Sequence, residues 1–216
     1  MRIPMGVVLI IKHVLGWFYQ RFYVIVDCLA YKGCDFSKWV SQEEAGFTPA
    51  QGVQYQPSSS RSLKKALSLY KIRNEDILMD IGCGKGKVMC ICSRYPFRKI
   101  LGLELSPDLA AVARRNFKTL GLDRCEVIVG DAAVFTDYDE CTFLYMFNPV
   151  PEEVFRSLLA NVTESLLRRP RKCVLIYMNP LYHDMIEKES PFRLRHTVKA
   201  AIGWFSCKCY ENTPAG

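Results

Sequence analysis

The sequence predicts a doubly wound α/β domain, a mostly parallel sheet covered by helices on both faces. Three observations carry this prediction. Short apolar runs alternate with segments of helical spacing along residues 60–178, the repeat of strand–helix–strand units. Residues 80–86 read Asp-Ile-Gly-Cys-Gly-Lys-Gly directly after the apolar run Ile77-Leu78-Met79, so a glycine loop joins a strand to a helix. Glu104 follows Gly84 by 20 residues, at the end of the next strand-like run. Together these are the parts of a nucleoside-binding strand–loop–helix–strand unit.

The elements follow in order. In residues 1–31, Lys12 and His13 end the first apolar run, and Gln20 and Arg21 break the next. Neither reaches the roughly 18 residues of a membrane span. No A-x-A-type cleavage site follows, which argues against a secretory signal. Trp17, Phe18, Tyr19, Phe22 and Tyr23 beside basic residues suit two placements equally: a helix lying on a membrane surface, or one packed on the domain. Residues 32–59 read as an irregular connector. We therefore expect an apolar helical extension and connector over residues 1–56, and the folded domain over 57–216.

Ser60 can cap a helix whose Leu63, Ala66, Leu67 and Tyr70 share one face. After the glycine loop, Val88, Ile91, Cys92 and Tyr95 recur at helical spacing until Pro96. Residues 99–105 (KILGLEL) form a buried strand. Ser106-Pro107-Asp108 starts a helix with a capping hydroxyl, a proline at the first position and an acid against the dipole. Its stripe is Leu109, Val112, Ala113, Phe117 and Leu120, and Gly121 stops it. Glu152 and Glu153 open another helix, with Phe155, Leu158, Leu159, Val162 and Leu166 inward. Residues 172–178 make a further buried strand, and residues 192–210 carry enough apolar side chains for a terminal antiparallel pair.

Composition narrows the function. Half of the 216 residues are hydrophobic and 12% aromatic, enough for a substantial core. The ten cysteines include two C-x-C pairs and no C-x-x-C, and several lie in apolar contexts where a reduced thiol acts as a small hydrophobe. With only His13, His183 and His196 besides, no zinc-ligand spacing can be assembled, so no metal is expected and a reducing, cytoplasmic location is. The net charge of +7 is unevenly placed: residues 61–99 hold ten Lys/Arg against three acids, residues 100–150 four against eight. The cluster Arg168, Arg169, Arg171 and Lys172 around Pro170 reads as a solvated surface turn, without the interleaved aromatics of a nucleic-acid site.

The glycine loop decides among nucleotide chemistries. Lys85 and Lys87 precede Gly86 and Val88, so the Gly-Lys-Ser/Thr of a phosphate loop is missing. Gly82, Gly84 and Gly86 give G-x-G-x-G, whereas a dinucleotide fingerprint needs G-x-G-x-x-G. DIGCGKG instead resembles motif I of class I S-adenosylmethionine-dependent methyltransferases, Asp/Glu-x-Gly-x-Gly-x-Gly. Residues 127–132 (VIVGDA) and 142–151 (TFLYMFNPVP) resemble later motifs of that family. The resemblance spans about residues 55–180 in order and spacing.

It implies a seven-stranded Rossmann-like sheet, S-adenosylmethionine as cofactor and methyl transfer to an unidentified acceptor. By the same resemblance, Asp80 supports the methionine amino group, and the loop residues Gly82, Cys83, Gly84 and Gly86 pass close to the cofactor. Glu104, next to Leu105, accepts both ribose hydroxyls. Asp131 accepts the adenine amino group, the Ala132 amide reaches a ring nitrogen, and Asn148 lies beside the reactive methyl.

Amino-methylating nucleic-acid enzymes carry Asn/Asp-Pro-Pro-aromatic in the fourth motif. Here Asn148-Pro149 is followed by Val150 and Pro151, which removes the base-stacking aromatic and argues against a nucleic-acid substrate. Asn148 retains a carbonyl that can accept from a substrate amine; its alternative role is a turn residue before proline. Tyr55, in a Tyr-Gln-Pro segment that resembles one preceding motif I in some lysine methyltransferases and in small bacterial methyltransferases, and His183 are further candidates for orienting a substrate or taking a proton. Asn148, Pro149 and Tyr55 are thus the candidate catalytic residues. The acceptor classes left open are a protein lysine or other amine, a small molecule, and an envelope sugar. Outside methyl transfer, the alternatives are an NAD-dependent oxidoreductase and a non-catalytic cofactor-binding domain. The partners expected are the methyl acceptor and, through residues 1–31, a peripheral membrane contact.

Overall fold

The structure is a computed structural model that describes residues 31–36, 60–147, 150–199 and 206–213. The expectations for residues 1–30, and for the connector over 37–59, lie outside the described residues.

Five strands, β1 (Ile77–Ile81), β2 (Lys99–Glu104), β3 (Cys125–Val129), β4 (Phe143–Phe147) and β5 (Val174–Met178), pair in parallel. The tail supplies β6 (Phe192–Val198) and β7 (Cys207–Asn212); β7 pairs antiparallel with both β5 and β6. The sheet order is β3-β2-β1-β4-β5-β7-β6. Between them run α1 (Ser60–Leu67), α2 (Lys87–Cys92), α3 (Pro107–Leu120), α4 (Glu152–Arg168) and α5 (His183–Glu189). The expected seven-stranded, doubly wound architecture with its antiparallel end is the one observed.

The alternation of side chains along each strand divides the interior into two cores. On one face Leu78, Tyr145, Val174, Ile176 and Met178 pack against Leu63 and Ala66 of α1, Val88 and Ile91 of α2, and Ala113 and Phe117 of α3. On the other, Ile77, Met79, Ile81, Leu144, Met146, Leu175 and Tyr177 meet Phe155, Leu158, Leu159, Val162 and Leu166 of α4, with Met185 and Ile186 of α5. Every inward residue predicted for α4 is buried. Because β1 is covered on both sides, all five of its residues are buried, Asp80 included. The winding reverses at β1, with β2 on one side and β4 on the other, which opens a crevice at the strands' carboxyl ends.

Local signals behave as their chemistry requires. The Ser106 hydroxyl accepts the Leu109 amide at 3.4 Å, Pro107 occupies the first turn of α3, and Gly121 closes it in the left-handed region at φ 63°. The basic cluster around Pro170 is a surface turn only in part. Arg168 pairs with Asp139 at 2.6 Å, Arg169 with Glu140 at 3.7 Å and Lys172 with Glu211 at 3.1 Å, all with exposed guanidinium or ammonium groups. Arg171 is half-buried, donating to the carbonyls of Tyr138 (2.7 Å), Cys141 (2.8 Å) and Ser165 (3.2 Å), so it ties the loop before β4 to the end of α4. The nine cysteines of the described residues are all free thiols.

The tail strands are pinned by one amide. Asn212, almost fully buried, accepts the Cys173 N–H at 2.7 Å and donates to the Arg171 carbonyl at 2.9 Å. Asn212→Ala leaves both backbone groups without a partner. We expect a loss of about 1–3 kcal/mol of unfolding free energy, read as a lower urea midpoint at unchanged slope.

Candidate functional site

The crevice at the switch point is lined first by the loop after β1. Gly82, Gly84 and Gly86 have φ of 74°, 53° and 81°, all in the region that side chains avoid. At Gly86 the constraint is double, since a Cβ would lie 2.5 Å from the Phe117 ring of α3. The Gly82 and Cys83 amides donate to the Leu103 carbonyl (2.8 and 3.1 Å), and the Gly86 amide to the Cys83 carbonyl (2.9 Å), which folds the loop into a tight bend over β2. Gly102 of β2 allows this approach: a Cβ there would meet Cys83 Sγ at 2.6 Å. Burial and the nearby Asp80 and Glu104 charges push the Cys83 thiol up, so it acts as a neutral filler.

Two carboxylates face this bend from inside the protein. Glu104, 5% exposed, accepts the Gly84 amide on Oε2 at 2.7 Å and the Ser106 amide on Oε1 at 2.9 Å. It therefore joins the glycine loop to the β2–α3 corner beside Leu105. Burial raises its pKa; the amide donors Ser106, Gly84 and Leu105 oppose that shift. Each oxygen still has acceptor capacity for a further donor. Asp80 is 2% exposed, and its Oδ2 has no hydrogen-bond partner among the described residues. Burial, and secondly the Glu104 charge, raise its pKa well above the ordinary aspartate value. A buried carboxylate oxygen without a donor is costly.

The other predicted positions fall on the same rim or outside the described residues. Asp131 Oδ1 accepts the Ala133 amide at 2.8 Å, a turn that leaves Ala132 nearly buried at the carboxyl end of β3. The Gly130 amide donates to the Glu104 carbonyl at 2.9 Å, linking this turn to β2. Tyr55, Asn148 and Pro149 lie outside the described residues. Val150, just beyond, is buried, and its carbonyl accepts from Tyr182 Oη at 3.4 Å. His183 sits at the start of α5, with Nδ1 3.0 Å from the buried Tyr210 hydroxyl, a contact between α5 and the tail strands.

Sequence reasoning missed three polar groups that hold the rim. Asn161 of α4 donates to the Ala133 and Phe135 carbonyls, both at 3.1 Å, fixing the turn after Asp131. Asn116 of α3 is buried and binds the Lys85 carbonyl at 3.0 Å. Lys85 itself is 1% exposed, with Nζ 2.9 Å from both carboxylate oxygens of Asp35. An amide adjoining an apolar helical stripe, and a lysine flanked by two glycines, were the available signals. Among the described residues no group of three His, Cys, Asp or Glu is arranged to hold a metal, and no helix is long and apolar enough to cross a membrane.

Residues 78–168 match the family described as a methyltransferase domain. The chain is 27% identical over 115 residues to a protein-lysine N-methyltransferase of Saccharolobus islandicus, covering 53% of this chain and 65% of that protein. It is 30% identical over 112 residues to a protein-L-isoaspartate O-methyltransferase of Helicobacter pylori, covering 50% and 53%. The chain thus spans between about half and two thirds of these curated relatives. In fold it is similar to an RNA methyltransferase from Salinibacter ruber solved with S-adenosyl-L-homocysteine. There the TM-score is 0.58 at 21% identity, over 73% of this chain and 94% of that one.

The buried acid gives a pH signature. Folded Asp80 holds its proton to a higher pH than unfolded Asp80, so its contribution to stability is complete below the ordinary aspartate range. That contribution is lost as pH rises through the raised value. Asp80→Asn remains neutral at every pH. Melting temperatures of the ligand-free protein from about pH 4 to 9 are therefore expected to fall more steeply with pH for wild type than for D80N. Parallel curves would contradict the assignment.

Proposed function

We propose, from the match of residues 78–168 to the methyltransferase-domain family and the resemblance of the glycine loop to motif I of the class I enzymes, that this chain transfers a methyl group from S-adenosylmethionine to an amine, in the first instance a protein lysine. The observation that carries the cofactor assignment is Asp80: a buried acceptor without a donor, beside a bend free of side chains. The ammonium of the methionine moiety would supply the missing donor. A positively charged ligand suits a crevice that holds two buried carboxylates. Gly82, Gly84 and Gly86 give G-x-G-x-G in place of the G-x-G-x-x-G of a dinucleotide site, which disfavours the oxidoreductase reading.

The residues present fit the cofactor along its length. Asp80 would hold the ammonium, and the bend at Gly82, Cys83, Gly84 and Gly86 would let backbone approach it. Glu104 would accept the ribose hydroxyls with the lone pairs its amide donors leave free, and Asp131 with the Ala132 amide would read the adenine edge. The cofactor supplies a sulfonium methyl, already a good electrophile. What the chain contributes is orientation and exclusion of water, and orientation of this kind is worth about 7–11 kcal/mol of a barrier.

The amine acceptor rests on two supports. Asn148 offers a carbonyl that accepts from a substrate N–H, and the Saccharolobus islandicus relative is named as a protein-lysine methyltransferase. Val150 and Pro151 stand where base-methylating enzymes carry proline and a stacking aromatic, which speaks against nucleic acid. Other relatives are named as isoaspartate and RNA methyltransferases, so the acceptor experiment must separate these classes.

Incubation of lysate with tritiated S-adenosylmethionine and the protein is expected to label the protein fraction, with label that survives alkali. Alkali-labile label would mean a methyl ester, and label in RNA would overturn the amine reading. Cofactor binding without label in any fraction would favour a non-catalytic domain. For the site, Glu104→Ala is expected to weaken S-adenosylhomocysteine binding in calorimetry by about 1.5–3 kcal/mol, roughly 10- to 150-fold. Unchanged affinity would remove Glu104 from the ribose.

A further inference from the structure

We propose that Asn179, just beyond the carboxyl end of β5, receives the acceptor amine: its side-chain carbonyl accepts an N–H of the incoming nitrogen and so sets the direction of the nitrogen lone pair. The inference rests on the methyl-transfer reading above and adds to it a residue on the acceptor side of the crevice.

The sheet order locates that side. The residues that would meet adenine, ribose and methionine follow β3, β2 and β1 in turn, so the acceptor has to come from the ends of β4 and β5. Those ends are level. Phe147, the last residue of β4, pairs with Met178, the last of β5, and in the sequence each is followed by Asn-Pro. Asn179 has φ 52° and is the one non-glycine residue in the left-handed region among the described residues. It also precedes Pro180, and a proline pushes the residue before it toward extended backbone, so this conformation is held against two preferences. The holding contacts are made by backbone: the Asn179 amide donates to the Ser206 carbonyl at 2.9 Å, and the Asn179 carbonyl accepts the Leu181 amide at 3.0 Å. Asn179 is half-buried, and among the described residues its side-chain amide makes no hydrogen bond; one usual reason for asparagine in a turn, a bond to nearby backbone, is missing. Tyr182 ties the turn to the segment after β4. Its hydroxyl donates to the Val150 carbonyl at 3.4 Å, and its ring lies 4.7 Å from that of Phe155 in α4.

The chemistry of an amine asks for such a residue. A neutral primary amine has two N–H bonds and one lone pair. A single acceptor leaves it free to turn about that bond, and a second fixes where the lone pair points. The sequence offers one acceptor in Asn148, and Asn179 is the second. Asn179 makes no bond to carbon and moves no proton; the proton that an arriving ammonium sheds goes to water. The surroundings suit a lysine side chain in particular. Leu181, two residues on, is 63% exposed and presents an apolar surface to a four-carbon stem. Residues 148–155 and 179–187 carry Glu152, Glu153, Asp184 and Glu187 and no Lys or Arg. Glu152, Glu153 and Asp184 are exposed, and although Arg156 offsets Glu152 at 3.1 Å, the approach keeps a negative potential that favours a cationic side chain.

The test uses the full chain. Asn179→Gly removes the side-chain carbonyl and suits φ 52° better than asparagine does, so it is expected to melt no lower than wild type and to bind S-adenosylhomocysteine with unchanged affinity. At saturating S-adenosylmethionine, its initial rate of tritium transfer to lysate protein is expected to fall at least tenfold. Asn179→Asp keeps an acceptor oxygen in place and is expected to retain most of the rate. A second measurement needs no turnover. With saturating S-adenosylhomocysteine, n-butylamine, the lysine side chain alone, is expected to shift the Leu181 amide resonance of wild type, and the half-saturating concentration is expected to be at least tenfold higher for N179G. A residue that only forms the turn predicts the reverse, N179G labelling protein as fast as wild type, and that result overturns the proposal. So does N179D as slow as N179G, a cofactor affinity of N179G that falls in step with its rate, or a butylamine titration that does not distinguish the two proteins. Wild type that binds S-adenosylhomocysteine and labels no protein would instead refute the protein-lysine reading, and wild type that binds none would refute the cofactor reading itself.

Discussion

One buried carboxylate fixes the shape of the crevice. Glu104 ends β2 and accepts amides from Gly84 on one side and Ser106 on the other. The loop after β1, the corner into α3 and the turn after β3 (through the Glu104 carbonyl and the Gly130 amide) therefore share one residue. The constraint is steric as well as polar. The loop can reach Glu104 only because Gly102 gives Cys83 room and Gly86 gives Phe117 room. Without these two absences of a side chain the carboxylate would have nothing to hold.

The second constraint is electrostatic. Asp80 and Glu104 are both buried, and burial, then the Glu104 charge, raise the cost of charging Asp80. A fold selected only for stability would not retain an acceptor without a donor at the centre of its sheet. Lys85, also buried, has its own counter-ion in Asp35, which keeps its charge tied to another carboxylate.

Surface charge carries less meaning than its count suggests. Three members of the basic cluster near Pro170 pair with Asp139, Glu140 and Glu211, and Arg171 caps carbonyls at the end of α4. A run of like charges in the sequence was here a set of local ion pairs and a backbone tie. The same holds for the cysteines, several of which fill space in the core facing α1, α2 and α3.

The strand–helix alternation, the caps of α3, the inward face of α4, and the glycine loop with its acidic partner were determined by the sequence alone. Each depends on residues close together in the chain, where period, φ preference and capping chemistry act locally. What only the tertiary structure decided was long-range. Gly102 had to be glycine because of Cys83, Arg171 was a strut rather than a surface charge, Asp80 Oδ2 was left without a donor, and Asp35 found Lys85. His183, a candidate by type, proved to face Tyr210. Local periodicity says that a residue is inside; only the packing of distant segments says which atoms meet it there, and a polar group's role depends on those atoms.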